Sequence, residues 1–368
     1  MARDLRLHKV DEYDGSAGKD PNVRSLIDRE VKRRVFWYIA SEDWLQSTIS
    51  GPQEGTYWIQ YSHIKVNLPQ DCTDDDLACG ESCRNITSNE PTYMTAFLER
   101  IRLSHICREI TDTIPLDTTS LLQMPYERII ALDQTLENYL ATLPRFLQCD
   151  FSDGKILESI YPQLPAWRYC VTKAAHSRRW KLNQRFLLRQ NLDPRHSHSR
   201  RACVMSARAV INGYADLVAH NSPSTLLTRM GMAVHFTHLA LGILIMDLCF
   251  NRNEADEAQI KEDVRVAFKI FEDAKAVSPL LERSLASLKD VLHRNRINLT
   301  DESGSEAYRR DETVYSRAQS ASEATEPEGL SVTDTTFDTF WDIALQSSSE
   351  MDFGAWDNLF STLDTRPI

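Results

Sequence analysis

Asp28-Arg29-Glu30-Val31-Lys32-Arg33-Arg34-Val35-Phe36-Trp37-Tyr38-Ile39-Ala40-Ser41-Glu42-Asp43 contains neither Gly nor Pro and interleaves charged with apolar side chains. Extended in both directions, Leu26, Ile27, Val31, Val35, Tyr38, Ile39 and Leu45 return at roughly helical spacing, which predicts a helix over 24–50. Gly51-Pro52 closes it, since proline cannot continue a helix. Inside it, Glu30 and Arg34 are i, i+4 partners on one face. Arg33 lies one turn before Trp37, within reach of stacking on its indole. Asp43 is placed to accept a hydrogen bond from a neighbouring segment, and Trp37 is expected in the core, beside Val31, Val35 and Tyr38 or across from them.

Further helices are predicted outward from this one, at about 92–113, 122–147, 166–190, 200–220, 228–250, 256–276 and 278–294. In the second of these Ile129, Leu132, Leu136, Leu140 and Leu143 are in step; in the fourth, Cys203, Ala207, Val210, Tyr214 and Leu217 share a face. Ser199 is a natural N-cap for that helix. Residues 52–92 read as irregular, with an acidic loop at Asp71–Asp76. No period-2 stretch of convincing length occurs, so the fold is predicted to be all-α: a single multi-helix domain over 1–295. The most apolar stretch, Met230 to Phe250, is broken by His235, His238 and Asp247, and its longest unbroken run is Leu239–Met246. That is a buried core helix and too short for a membrane span.

Composition divides the chain. Of 368 residues only 12 are Gly and 14 Pro, and the net charge is −11. Ten acids and no Lys or Arg occupy 318–365, which leaves residues 1–317 close to neutral at −2. Neither part has the basic excess of a surface that grips phosphates. Residues 296–333 lack apolar periodicity and read as a disordered linker. Residues 334–368 stay acidic but regain aromatics. Phe337, Phe340 and Trp341, and again Trp356, Leu359 and Phe360, stand at i, i+3, i+4, the spacing of a short amphipathic helix laid in a coactivator groove. The eight cysteines lie mostly in apolar helical patterns, and no secretory leader opens the sequence, which points to a reducing compartment.

The quoted stretch resembles the hallmark of the fungal-specific transcription factor domain, the middle homology region of zinc-cluster regulators. Glu30, Arg33, Arg34, Phe36, Trp37 and Asp43 match its pattern. Gly51 and Pro52 stand at its turn, and Asn67-Leu68-Pro69 followed by acids matches its loop. Asp4-Leu5-Arg6-Leu7-His8 resembles the element that precedes it. The resemblance covers about residues 1–295. It implies a nuclear regulator of RNA polymerase II transcription, and coactivators or other transcription proteins as partners. A homodimer is compatible with it. DNA would be reached only through a zinc-cluster module. This sequence has no C-x-x-C, so zinc is expected only in that missing module and no cofactor in this chain.

Other chemistries fit these residues less well. Cys72, Cys79 and Cys83 are spaced by six and three residues around an acidic loop, and a flexible loop is the simpler reading than a metal site. His196 and His198 read as solvated loop residues; His235 and His238 read as core histidines. Lys32-Arg33-Arg34 and Arg178-Arg179-Trp180-Lys181 read as solvated or salt-bridged helix faces. There is no Gly-rich phosphate loop, no G-x-S-x-G elbow and no H-E-x-x-H. Class I terpene cyclases are also all-α and of this length, but Asp74-Asp75-Asp76 continues as Leu77-Ala78-Cys79, which breaks their metal motif. The sequence therefore predicts a regulator and no enzyme. The alternative is a co-regulator that binds a protein partner without touching DNA.

Overall fold

The computed structural model describes residues 5–12, 23–49, 52–79, 91–148, 154–187, 194–219, 231–250 and 254–274, with short pieces between 285 and 299. The linker and acidic-aromatic segment, with Phe337, Phe340, Trp341, Trp356, Leu359 and Phe360, lie outside the described residues, as does Gly51.

Among the described residues there are ten α-helices and no strand. They are α1 (Val23–Gln46), α2 (Asp74–Cys79), α3 (Thr95–Thr113), α4 (Thr118–Gln123), α5 (Tyr126–Ala141), α6 (Gly154–Ile160), α7 (Leu164–Asn183), α8 (Ser197–Ala219), α9 (Gly231–Phe250) and α10 (Glu254–Ala274). Local chemistry sets many of the boundaries. The Asp117 carboxylate accepts from Ser120 N and caps α4. Pro125 precedes α5, and Pro165 sits in the first turn of α7, where its missing N–H costs nothing.

Several predicted features differ, two of them in the first half of the body. The 122–147 helix is α5 flanked by α4 and a 3-10 turn at Arg145–Leu147, because Pro125 and Pro144 interrupt it. The acidic stretch inside 52–92 contains α2, whose first turn gathers Asp74, Asp75 and Asp76 at the positive end of the helix dipole.

α7 is the hub. One stripe of it (Val171, Ala175, Leu182) closes a core with Leu103 and Cys107 of α3 and Ile129, Leu132 and Leu136 of α5. Trp180 faces the other way, into a core made by α8, α9 and α10. α9 is apolar all round, as a helix enclosed on every side must be, and Phe236 to Cys249 are buried. Among the described residues no helix is long and apolar enough to cross a membrane. A third, smaller cluster gathers Phe36, Trp37, Ala40 and Trp44 of α1 with Leu7, Ile101 and the segment 57–66.

Candidate functional site

α1 takes the second of the two arrangements that its apolar spacing allows. Trp37 is buried at 3% exposure, but Val31, Val35 and Tyr38 stand on the outside at 47, 44 and 59%. The inward face carries Glu30, Phe36, Trp37, Ala40, Ser41 and Trp44. The motif residues hold the chain before and after α1 against this face. Trp37 Nε1 donates to Asn67 O at 2.8 Å, and Trp44 Nε1 to Ile59 O at 2.8 Å. Asp43 accepts from Trp58 N and Ile59 N at 2.9 and 2.7 Å, the acceptor role its position predicts. Glu30 accepts from Gln70 N at 2.9 Å and from Arg34 Nε at 3.2 Å. Arg34 Nη1 reaches Asp74 at 2.7 Å.

Arg33 does not stack on Trp37. Its guanidinium donates to both oxygens of Asp11, at 2.9 and 2.6 Å, and a bidentate carboxylate outcompetes a ring face. Asp11 in turn accepts from Asn67 N at 2.7 Å. The burial of Asp11 works against its ionised form, but the Arg33 and Asn67 bonds win and hold its pKa below the ordinary carboxylate value. Pro69 is buried beside this array, and Pro52 is exposed past the end of α1. Asp11 was missed in the sequence; its one signal is an acid within reach of the Arg33-Arg34 pair.

A second polar array lies between α5, α7 and α8. Asp133 is completely buried and takes Arg179 in a bidentate pair at 2.8 and 3.0 Å, Asn183 Nδ2 at 2.8 Å and His198 Nε2 at 2.9 Å. Ser199 Oγ donates to Asn183 Oδ1 and meets Tyr126 Oη, both at 2.7 Å. Ser199 thus sits inside α8 and ties helices together instead of capping it. His198 is bound to a buried acid, and His196 packs against the Tyr126 and Phe186 rings at 4.8 and 5.2 Å, so neither is a solvated loop residue. Arg179 is buried with its acid and not on a solvated face. Arg200–Asp247 and Arg208–Asp263 repeat the device across α8, α9 and α10. Asp133 and Asp247 could have been found in the sequence, since a lone acid on an apolar helix face demands a buried cation.

This chemistry is structural. Ser199 stands next to an Asp133–His198 pair, but its hydroxyl is spent on Asn183 and Tyr126. Burial raises the thiol pKa of Cys107 and Cys203, which keeps both as protonated, unreactive groups. Among the described residues no three His, Cys, Asp or Glu gather to hold a metal. Cys72 is buried, Cys79 is exposed, and Cys83 lies outside the described residues. His238 is buried in α9, and the His235 side chain lies outside the described residues.

The described body also holds an open cleft of about 610 Å³, part of it solvent. It lies where the end of α1 meets the Gly55 turn, the end of α3, and the Arg178, Lys181 and Arg185 edge of α7 and its 3-10 extension.

Comparison with known proteins finds no matching family model and no matching solved structure. Curated relatives do match. The chain is 33% identical over 390 residues to "Probable transcription factor lepB" of Aspergillus flavus, which covers all of this chain and 68% of the relative. It is 30% identical over 291 residues to the agnestins biosynthesis cluster transcription factor AgnL11 of Paecilomyces divaricatus, covering 79% of this chain and 42% of that protein. It is 28% identical over 283 residues to transcription factor TAS2 of Pyricularia oryzae, covering 69% of this chain and 35% of that protein.

Proposed function

The chain belongs to a family of fungal transcription factors and regulates transcription, and from that premise we propose that it is the regulatory body of a nuclear regulator of the zinc-cluster class, acting on RNA polymerase II genes. The observation that carries this reading is the alignment with a transcription factor over the whole of this chain. In this reading the helical body scaffolds and the acidic-aromatic segment recruits coactivators. DNA is reached through a zinc-cluster module, on a longer form of the chain or on a partner. The charge pattern supports this division. Arg33, Arg34, Arg179, Arg200 and Arg208 each face a carboxylate, so these cations are committed inside the fold and not offered to phosphates. The body performs no catalysis in this reading.

The test is to fuse residues 1–368 to an unrelated DNA-binding domain in a reporter strain. The fusion is expected to raise transcription, and the signal should fall when Phe340, Trp341, Trp356 and Phe360 become Ala. A fusion no more active than the bare DNA-binding domain would defeat the activation reading. Purified chain that binds duplex DNA tightly, with strong salt dependence, would defeat the delegated-DNA reading.

A further inference from the structure

We propose that the cleft beside α7 is a binding site for a small organic acid, a carboxylate carried on a short apolar body. Arg178 anchors the argument. It is 6% exposed and lines the cleft. Two of its nitrogens are used: Nη2 donates to Leu45 O at 3.2 Å, and Nη1 to Ala174 O at 3.2 Å and Ser177 Oγ at 3.0 Å. These partners are neutral. They hold the guanidinium in place, with the C-terminal end of α1 behind it, but among the described residues no carboxylate pairs with it as Asp133 pairs with Arg179. The third group, Nε–H, is buried with no oxygen or nitrogen acceptor among the described residues, and the buried Cys107 thiol lies beside the guanidinium. A buried charged group without a counterion is costly, and an anion bound in the cleft beside the guanidinium offsets that charge.

The surroundings select the same chemistry. Arg178, Lys181 and Arg185 follow at i, i+3 and i+7, so three cations face the cleft along one edge. Glu54 is the one carboxylate among the lining residues, and it is held by Lys181 Nζ at 3.0 Å. Ile110, Ile114 and Leu121 bring apolar wall from outside α7, and Leu182 adds to it from α7 itself. The hydroxyls of Ser47 and Thr111, 2.7 Å apart, add a polar strip. A cationic edge beside an apolar wall suits an amphipathic acid better than a bare anion or a neutral ligand. The turn that closes the cleft is itself fixed: Gly55 adopts φ 70°, donates its N–H to Ser47 O at 2.8 Å, and lies so near Leu116 that a Cβ would stand 2.6 Å from its side chain. A ligand here would give a transcription regulator a chemical input. That step rests on the regulatory reading; the binding itself does not.

The experiment uses the purified full chain at low salt, with calorimetric titration of benzoate and octanoate against benzamide and octanamide. Saturable binding of an acid, with its amide at least about tenfold weaker, is expected. Arg178→Gln should weaken the acid by about tenfold or more. Because Arg178 also braces α1, Arg185→Gln is run beside it, with a thermal melt to establish folding, and should weaken the acid as well. Acid and amide binding alike, neither binding, or acid affinity unchanged in both folded variants would overturn the site. Inorganic phosphate binding as tightly as the acids would overturn the role given to the apolar walls. None of these readouts involves transcription, so failure here and failure of the regulatory reading remain separate results.

Discussion

Single side chains in this protein carry unequal weight, and Asp133 carries the most. Four donors from three other residues converge on its carboxylate, and Arg179 is buried with it. Asp133→Ala leaves that guanidinium without its counterion inside the fold, a loss of about 3–5 kcal/mol. Urea unfolding should show it as a lower midpoint with little change in slope. Asp133→Asn should be milder, because the amide oxygen still accepts from one partner, yet clearly destabilised. A variant as stable as the wild type in either form would mean the array contributes nothing. The exposed ion pairs, such as Lys32–Asp28, should by contrast be removable at almost no cost.

Among the elements, α1 shows what a sequence pattern conveys and what it omits. Its existence and length were legible, because sixteen residues without Gly or Pro and with helical spacing have few alternatives. Its orientation was not. The apolar spacing left Trp37 either beside Val31, Val35 and Tyr38 or across from them, and the structure takes the second arrangement, with Glu30, Trp37 and Trp44 turned inward. The cause is the covering segment. Residues 58, 59, 67 and 70 bring backbone amides and carbonyls to α1, and those groups need Asp43, Glu30 and the indole N–H groups as partners. A pattern read along one helix contains no term for a partner thirty residues away. The same reasoning predicts the effect of Asp43→Ala: two amides lose a charged acceptor, at about 1–3 kcal/mol, and the 52–70 segment loosens before the helices do. Limited proteolysis should then cut first within 52–70 while the rest of the body stays intact. Cleavage at the wild-type rate would argue against the clamp.

For the whole molecule, acid is the informative variable. His176 lies between α7 and α8, with Nδ1 3.4 Å from Ser206 Oγ. Burial first, and then the Arg179 guanidinium, push its pKa from 6.5 down to about 4. His105, packed among Trp37, Trp44 and Tyr61, is lowered in the same way by burial and by Arg108. Between those folded values and 6.5 the unfolded chain binds protons that the folded chain refuses. Stability is therefore full above 6.5 and falls as pH drops; for His176 the fall runs toward 4, at up to about 1.4 kcal/mol per pH unit, and His105 adds to it in the same direction. Equilibrium unfolding at pH 7 and pH 5 should show the loss, and His176→Gln should flatten the dependence. A profile flat from pH 7 to 5 would contradict the burial of both rings.

The double allegiance of α7 also has a consequence for how the chain is made. Synthesis runs from the amino end, so α1 to α7 emerge with everything needed to close the core that Val171, Ala175 and Leu182 complete. Trp180 and Leu187 belong to the core that α8, α9 and α10 complete, and those helices follow later. That is roughly 90 further residues, about 4–18 s at the usual rates of elongation. Through that interval the nascent chain exposes an apolar face that only the second half of the body covers.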